Sequence, residues 1–435
     1  ENCRLRKTMG TSILKSRSTN FKNFLERTMS ISYQLLIVGG GAAGLATASS
    51  LKKRNPSLDI GIIEPDNRHY YQPGWTMVGA GVFDKQETCR DISDVWPKGV
   101  SRVKGAVESF EPENNHVILD DGKRIGYEIL IVAAGLKLDW DAVEGLTDSL
   151  GKDGVTSNYR YDLAPYTWKL VREMEGKEAI FTQPPMPIKC AGAPQKAMYL
   201  SCHHWQRRGQ LSDMKVSFCN AGPVLFGCAT YVPPLMEYVK RYGINLDFNS
   251  NLIKIDGYAK TAWFRVSEEG AETKVVERRF DMIHVCPPQS APDFVSDSSI
   301  SNQAGWVDVD HETLQHNKYE NIFGLGDVTA TPNAKTAAAA RKQAPIVAEN
   351  VISFLSGGKL KPLYDGYGSC PLTVENGKII LAEFGYGGQV MPTFPWDSTK
   401  ARRSAWFLKK SVLPAVYWRA MLKGREWLTA TTKTG

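Results

Sequence analysis

No pair of the eight cysteines has C-x-x-C spacing, and C-x-x-C-H does not occur. The first absence removes a structural zinc site, the second an attached c-type haem. No run reaches the roughly 20 apolar residues that a membrane-spanning helix needs. Internal repeats and low-complexity tracts are missing, which excludes a solenoid or a linker. No nucleic-acid motif is present, and positive charge is scarce where a binding core would need it. Of the net +7, residues 1–30 carry +5 and residues 400–435 carry +8, so the stretch between is net −6. A chain of 435 residues is too long for one core and divides into two or three domains.

What is present begins with a buried-strand pattern, Tyr33–Val38, followed by Gly39-Gly40-Gly41-Ala42-Ala43-Gly44, a helical stretch from Leu45 to Arg54, and a second strand from Asp59 to Ile63 that stops at Glu64. This is G-x-G-x-x-G in strand–turn–helix–strand context. Gly39 makes the turn, Gly41 admits a pyrophosphate, and Gly44 lets helix and strand approach. The helix N-terminus offers free N–H groups and a positive dipole end to the phosphates, and Glu64 suits ribose hydroxyls. Two later segments favour FAD over NAD. Glu128–Leu136 is a strand ending in small residues, with Ala134 and Gly135 at the turn, and Asn321–Asp327 is a strand ending in Gly326-Asp327. Both resemble signatures of the flavoproteins with two dinucleotide-binding domains, which implies that Asp327 holds the ribityl chain. Lys335 and Thr336 open an Ala-rich helix, 335–343, whose N-terminus suits negative charge on a reduced ring.

A second nucleotide domain is expected at about 175–290, and it looks broken. The strand Lys215–Asn220 is followed by Ala221-Gly222-Pro223-Val224-Leu225-Phe226-Gly227, where Pro223 removes an N–H and Phe226 adds bulk. No acid is read at the end of the next strand, Asn245–Asn249. The architecture is therefore expected without its nicotinamide nucleotide.

The ends carry an address and an anchor. Residues 1–30 are basic and poor in acids, like a mitochondrial presequence, with Met9 a candidate start. In 404–424, Trp406, Phe407, Trp418 and Leu422 mix with Lys409, Lys410, Arg419 and Lys423, and Pro414 is read as splitting two short helices. Such a mixture suits a helix lying in the headgroup plane of a membrane surface.

Cys190 and Cys370 stand apart from the other thiols. Each is flanked by Pro and Gly in a loop-like setting, and Lys189 and Lys196 bracket Cys190. Nearby cations lower a thiol pKa and raise the thiolate fraction that attacks disulfides or flavin. Cys219 and Cys286 read as strand-buried thiols, and Cys89, Cys202 and Cys228 as small hydrophobes.

Together, Gly39–Gly44, Cys190-Ala-Gly-Ala-Pro-Gln-Lys196, Gly305-Trp-Val-Asp-Val-Asp310, Gly324-Leu-Gly-Asp327, Lys335-Thr-Ala-Ala-Ala339 and Gly366-Tyr-Gly-Ser-Cys-Pro-Leu372 resemble the mitochondrial-type sulfide:quinone oxidoreductases over about 33–425. The resemblance implies an α/β fold with two Rossmann-like domains of the FAD-dependent disulfide-reductase type and a C-terminal membrane-associated helical region. The expected order is a targeting segment at 1–30, an FAD domain at 31–155 and 290–360, a second Rossmann-like domain at 156–289, and a quinone- and membrane-binding region at 361–435. It implies non-covalent FAD, no metal, Cys190 as the thiol beside the flavin and Cys370 as the sulfur carrier. Lys196 is the expected field for hydrosulfide and for the acceptor, glutathione or sulfite. Phe384 and Tyr386 are the expected quinone-side aromatics, with Tyr417 and Trp418 secondary. The implied partners are hydrogen sulfide and ubiquinone, and the implied place is the matrix face of the mitochondrial inner membrane. Relatives carry a Glu where this chain has Pro165, which leaves a proton-handling role to Asp162 or to none; His203 and His204 read as helix surface. The rival readings are a type II NADH:quinone dehydrogenase, a flavocytochrome-type sulfide dehydrogenase and a non-catalytic FAD-binding protein.

Overall fold

The computed structural model describes residues 31–267, 270, 272–361, 363–427 and 429. The basic leader, 1–30, lies outside them. A mixed sheet and an all-parallel sheet set the architecture. The first is built from β1 (Ile31–Val38), which leads through helix α1 (Ala42–Arg54) to β2 (Ile60–Ile63), then β3 (Ser101–Val103), β4 (Val107–Glu111), β5 (His116–Leu119) and β6 (Arg124–Val132). Its order is β3-β2-β1-β6-β5-β4. Leu35, Leu36 and Ile37 are wholly buried, as expected of a parallel strand covered on both faces.

The second sheet takes β7 (Val155–Thr156) and β8 (Glu178–Gln183); helix α2 (Ala193–Arg207) then leads to β9 (Lys215–Asn220), β10 (Asn245–Asp247) and β11 (Met282–His284). The order is β7-β11-β8-β9-β10, all parallel. The chain returns to the first sheet with β12 (Ile322–Gly324), which pairs with the C-terminal end of β6. Helix α3 (Ala337–Leu355) then packs on α1. A hairpin of β13 (Gly368–Glu375) and β14 (Lys378–Phe384) lies against α2.

Strand order corrects where the second nucleotide turn should be. The first strand of a dinucleotide domain is central, flanked by the second strand on one side and the fourth on the other. Here that strand is β8, not β9. The turn in the phosphate-binding position is thus Pro184–Gly192, the loop that carries Cys190. Pro184, Pro185 and Pro187 leave it three N–H groups short. The strand that would carry the ribose-binding acid is β9, and it ends in Asn220, whose side chain is turned back onto Gly222 N and Val224 O. An acid does end β10, contrary to expectation: Asp247, ion-paired with Arg278 at 2.7 Å.

Pro414 does not break the C-terminal helix. Helix α4 (Arg403–Phe407) runs into a π turn, Leu408–Val412, and on into α5 (Leu413–Arg419). Pro414 sits in the first turn of α5, directly after the wide turn, where a missing N–H is tolerated. Nor is this region an appendage. Ser49 Oγ donates to Leu422 O, Arg54 pairs with Glu426, and Ser49 O lies 2.7 Å from where a Cβ on Gly424 would sit. The segment is packed onto α1, the helix that follows the dinucleotide turn.

Candidate active site

The turn between β1 and α1 is drawn tight. Gly39 has φ +102°, and a Cβ on Gly44 would lie 1.9 Å from Gly39 O. Only glycine satisfies either demand. Glu64 Oε2 accepts from Gly40 N at 2.7 Å and Oε1 from Asp66 N at 2.8 Å, which fixes the carboxylate at the turn. Burial raises its pKa against those two bonds. Around this turn there is room. A Cβ on Gly41 or on Gly135, beside Ala134, would meet nothing within 4 Å, while Gly326 faces Ala43. Ala42 opens α1. Asp327 lies beyond, its pKa raised by burial and lowered in part by Lys335 and Lys189. Trp75 Nε1, Thr76 Oγ1 and both amide atoms of Asn158 are buried without a hydrogen-bond partner among the described residues. The open glycine cradle fits a bound dinucleotide.

Lys335 departs from expectation. It precedes α3 instead of belonging to it, and its ammonium braces the strand end: Nζ donates to Asp327 O and Thr329 O, each at 2.8 Å, over the Trp306 ring. Thr336 is the N-cap, its Oγ1 accepting from Ala339 N.

Cys190 and Cys370 meet. Their Sγ atoms are 3.7 Å apart, 180 residues distant in sequence. Cys190 lies in the turn ahead of α2 at φ +52°, a conformation a non-glycine residue seldom holds. Cys190 N donates to Lys335 O and Ala193 N to Cys190 O, which pin that turn. Cys370 is not in a loop: it is the third residue of β13, opposite Ala382, and is buried to 2% exposure. A Cβ on Gly192 would come within 2.5 Å of Cys370 Sγ, so glycine there lets the thiols approach.

Lys196 is no surface charge. It is 2% exposed, on the first turn of α2, with Nζ 2.9 Å from Cys190 Sγ and 3.7 Å from Cys370 Sγ. The negative charge of the pair belongs to Cys190. The bond it accepts from Cys370, with the Lys196 ammonium, holds it well below the usual thiol range against burial. Donating that bond, and burial, push Cys370 well up. The two sulfurs outweigh burial at Lys196 and raise its pKa.

Sequence reasoning missed a second lysine. Lys409, assigned to a headgroup-facing helix, is 3% exposed and donates to Pro73 O at 3.0 Å. Burial, aided by Lys196 and opposed by the two thiols, brings its pKa down to about 7. In the sequence it is indistinguishable from its exposed neighbour Lys410. Tyr159 was also missed; its hydroxyl reaches Lys189 O at 3.2 Å and holds the cysteine turn from below.

With this geometry in place, comparison with known proteins is informative. Residues 33–191 match the pyridine nucleotide-disulphide oxidoreductase family. The mitochondrial sulfide:quinone oxidoreductase of Dictyostelium discoideum is 43% identical over 92% of this chain and 88% of its own length. That of Mus musculus is 38% identical over 90% and 87%. The chain belongs to the mitochondrial sulfide:quinone oxidoreductase family. Membership makes it an enzyme and an oxidoreductase, and the family and fold imply a bound flavin. The sulfide:quinone oxidoreductase of Aquifex aeolicus shares the fold with a TM-score of 0.75, at 21% identity over 91% of this chain and 92% of that one.

The oxidoreductase does not gather its four candidate aromatics into one wall. Phe384 packs edge-on to Phe226, and Tyr386 against Tyr364 with its hydroxyl on His311 O. Tyr417 and Trp418 pack instead with Tyr71 and His69, and Tyr417 Oη lies 2.7 Å from His69 Nε2. The opposite ring nitrogen of His69 faces Gly40 O, so these two residues buttress the dinucleotide turn. Asp162 is taken up by Arg160 at the surface. His203 accepts from Asn376 N, and His204 packs on Trp168; neither turns toward the thiols.

Proposed function

We propose that this protein oxidises hydrogen sulfide at the Cys190/Cys370 couple, hands the sulfane sulfur to glutathione or sulfite, and sends two electrons through FAD to ubiquinone at the matrix face of the mitochondrial inner membrane. One observation carries this reading: the turn where a nicotinamide phosphate would bind holds Cys190 instead, its sulfur 3.7 Å from that of Cys370 on the hairpin and 2.9 Å from a buried ammonium.

The chemistry follows from the asymmetry of the pair. In the oxidised couple hydrosulfide attacks Cys370 sulfur, the bridge to Cys190 breaks, and Cys370 keeps the added sulfur as a persulfide. The better leaving thiol is the one of lower pKa, and that is Cys190 beside Lys196. An acceptor thiolate or sulfite then takes the outer sulfur, freeing Cys370 to re-form its bond to Cys190 as two electrons leave the pair. Lys196 and Lys409 supply a positive field that favours each anion in turn. When bound, the flavin accepts those two electrons and releases them to a quinone. Among the described residues no helix is long and apolar enough to cross a membrane. Phe407, 62% exposed, and the stacked Phe394 and Trp396 suit contact with one leaflet instead. The NADH dehydrogenase reading loses support, because a turn with three prolines cannot present the N–H groups a pyrophosphate requires.

The test is an anaerobic absorbance titration of the purified yellow protein. Sulfide should bleach it and NADH should not, and Cys190→Ser and Cys370→Ser should each abolish sulfide-dependent quinone reduction. Bleaching by NADH, or turnover surviving either substitution, would refute the assignment.

A further inference from the structure

The dinucleotide turn is held from outside its own unit by two side chains that have no part in the chemistry above. His69 sits on the short strand Arg68–Tyr70 and Tyr417 on α5, and each is 4% exposed. His69 Nδ1 lies 3.3 Å from Gly40 O, and its Nε2 lies 2.7 Å from Tyr417 Oη. A carbonyl can only accept, so Nδ1 carries the hydrogen and Nε2 accepts from the tyrosine hydroxyl. Tyr417 Oη also lies 3.3 Å from Tyr70 O, a longer contact that competes for the same hydrogen. Burial keeps the imidazole neutral, its pKa down to about 4, so one N–H and one lone pair face these two partners at neutral pH.

What these bonds control lies across the peptide plane. In a planar trans peptide the carbonyl of one residue and the N–H of the next point in opposite directions. Holding Gly40 O therefore sets the aim of Gly41 N–H. Gly40 N is tied in turn to Glu64 Oε2 at 2.7 Å, so this glycine is anchored through both of its polar groups. Gly41 N has no hydrogen-bond partner among the described residues, and a Cβ on Gly41 would meet nothing within 4 Å. It is an N–H left for a phosphate oxygen at the start of α1. The far end of the relay is the C-terminal segment. Ser49 Oγ donates to Leu422 O at 2.8 Å, Lys53 Nζ to Gly424 O at 3.3 Å, and Arg54 pairs with Glu426. The last part of the chain thus meets the dinucleotide unit twice, at the turn through His69 and along the helix behind it.

We propose that Tyr417, acting through His69, is a positioning residue for the phosphates of the bound dinucleotide, and that dinucleotide binding and seating of the C-terminal segment favour each other. This rests on the flavin reading above and on neither sulfide nor quinone. With the hydroxyl in place, the imidazole is set, the Gly40 carbonyl is held, and Gly41 N–H is presented before the ligand arrives. Without it, the ligand must do that ordering itself, and affinity falls. The coupling runs both ways: the factor that the seated segment adds to dinucleotide affinity is the factor that the dinucleotide adds to the seat.

The experiment takes the full chain, stripped of flavin, and titrates it with FAD by fluorescence. The variants are Tyr417→Phe, which keeps the ring and its packing on Tyr71, His69→Leu, and the two together. Each single variant should bind FAD about 10-fold more weakly. The double variant should bind no more weakly than His69→Leu, because Tyr417 acts only through His69. The reverse direction is read by limited trypsin digestion followed by mass spectrometry. Saturating FAD should slow cleavage at the exposed Lys410 and Arg419 about 10-fold more than at Arg279, which is exposed on the distant strand Lys274–Arg279. Tyr417→Phe should erase that excess. Unchanged FAD affinity in both single variants overturns the proposal. So do losses that add in the double variant, which mark two independent packing contacts, and so does equal protection at Arg279. Wild type that takes up no FAD defeats the cofactor reading and this one together; bound FAD that sulfide fails to reduce defeats the sulfide reading alone, and the comparison among variants still decides this one.

Discussion

Replacing Lys196 by Met keeps the length of a buried side chain and removes its charge. Unit charges about 4 Å apart attract by about 4 kcal/mol at an effective dielectric near 20, which at 1.36 kcal/mol per unit is about 3 pKa units. Lys196 Nζ is nearer than that to Cys190 Sγ, at 2.9 Å, but Lys409 remains to replace part of its field. The Cys190 pKa should therefore rise in the variant, and the thiolate fraction should fall at every pH below the raised value. Cys190 is the one described cysteine that is not buried, so iodoacetamide should alkylate it selectively. The assay is the alkylation rate of the reduced protein against pH, with the adduct located by mass spectrometry. Wild type should hold its rate far into acid, and Lys196→Met should lose rate at higher pH. The sign carries into stability. The folded thiol lies below its unfolded value, so the thiolate stabilises the fold above the ordinary thiol range, and the contribution fades as pH falls through the folded value. Superimposable alkylation profiles would show that Lys196 does not set the charge on Cys190.

Two further outcomes follow from the same geometry. Gly41→Ala meets open space and should keep the melting temperature of flavin-free protein while weakening flavin binding, whereas Gly44→Ala should destabilise the fold itself; equal flavin affinity in Gly41→Ala, by fluorescence titration, would contradict the cradle. Lys409 is depressed to about 7 in the fold, so between about 7 and the ordinary lysine value the unfolded chain binds the extra proton, and stability should rise with pH. Lys409→Met should flatten that rise in urea denaturation, and an unchanged slope would assign it to other groups.

The dinucleotide turn was legible because its constraints are local: Gly44 closes on Gly39, and Glu64 on Gly40, within one strand–turn–helix–strand unit. The thiol pair was legible by composition but not by geometry. Cys370 looked loop-borne because Pro371 follows it, yet it lies in a hairpin with Pro at a tolerated position. The second nucleotide domain was misplaced by one strand, since a parallel strand reads the same whether it is first or second and only pairing order tells them apart. Lys409 was invisible because it is a charged residue in a segment whose buried face is fixed by a distant part of the chain, Pro73.

The loop after β8 has a wider meaning. A scaffold that could take hydride from a soluble carrier has had that docking turn rebuilt with prolines and a cysteine, while the strands on either side are unaltered in kind. The difference lies in the span from Gln183 to Lys196 together with Cys370 on the hairpin. Grafting that span, with a matching thiol on the hairpin, defines the smallest change by which a pyridine-nucleotide machine of this shape would learn to burn sulfur.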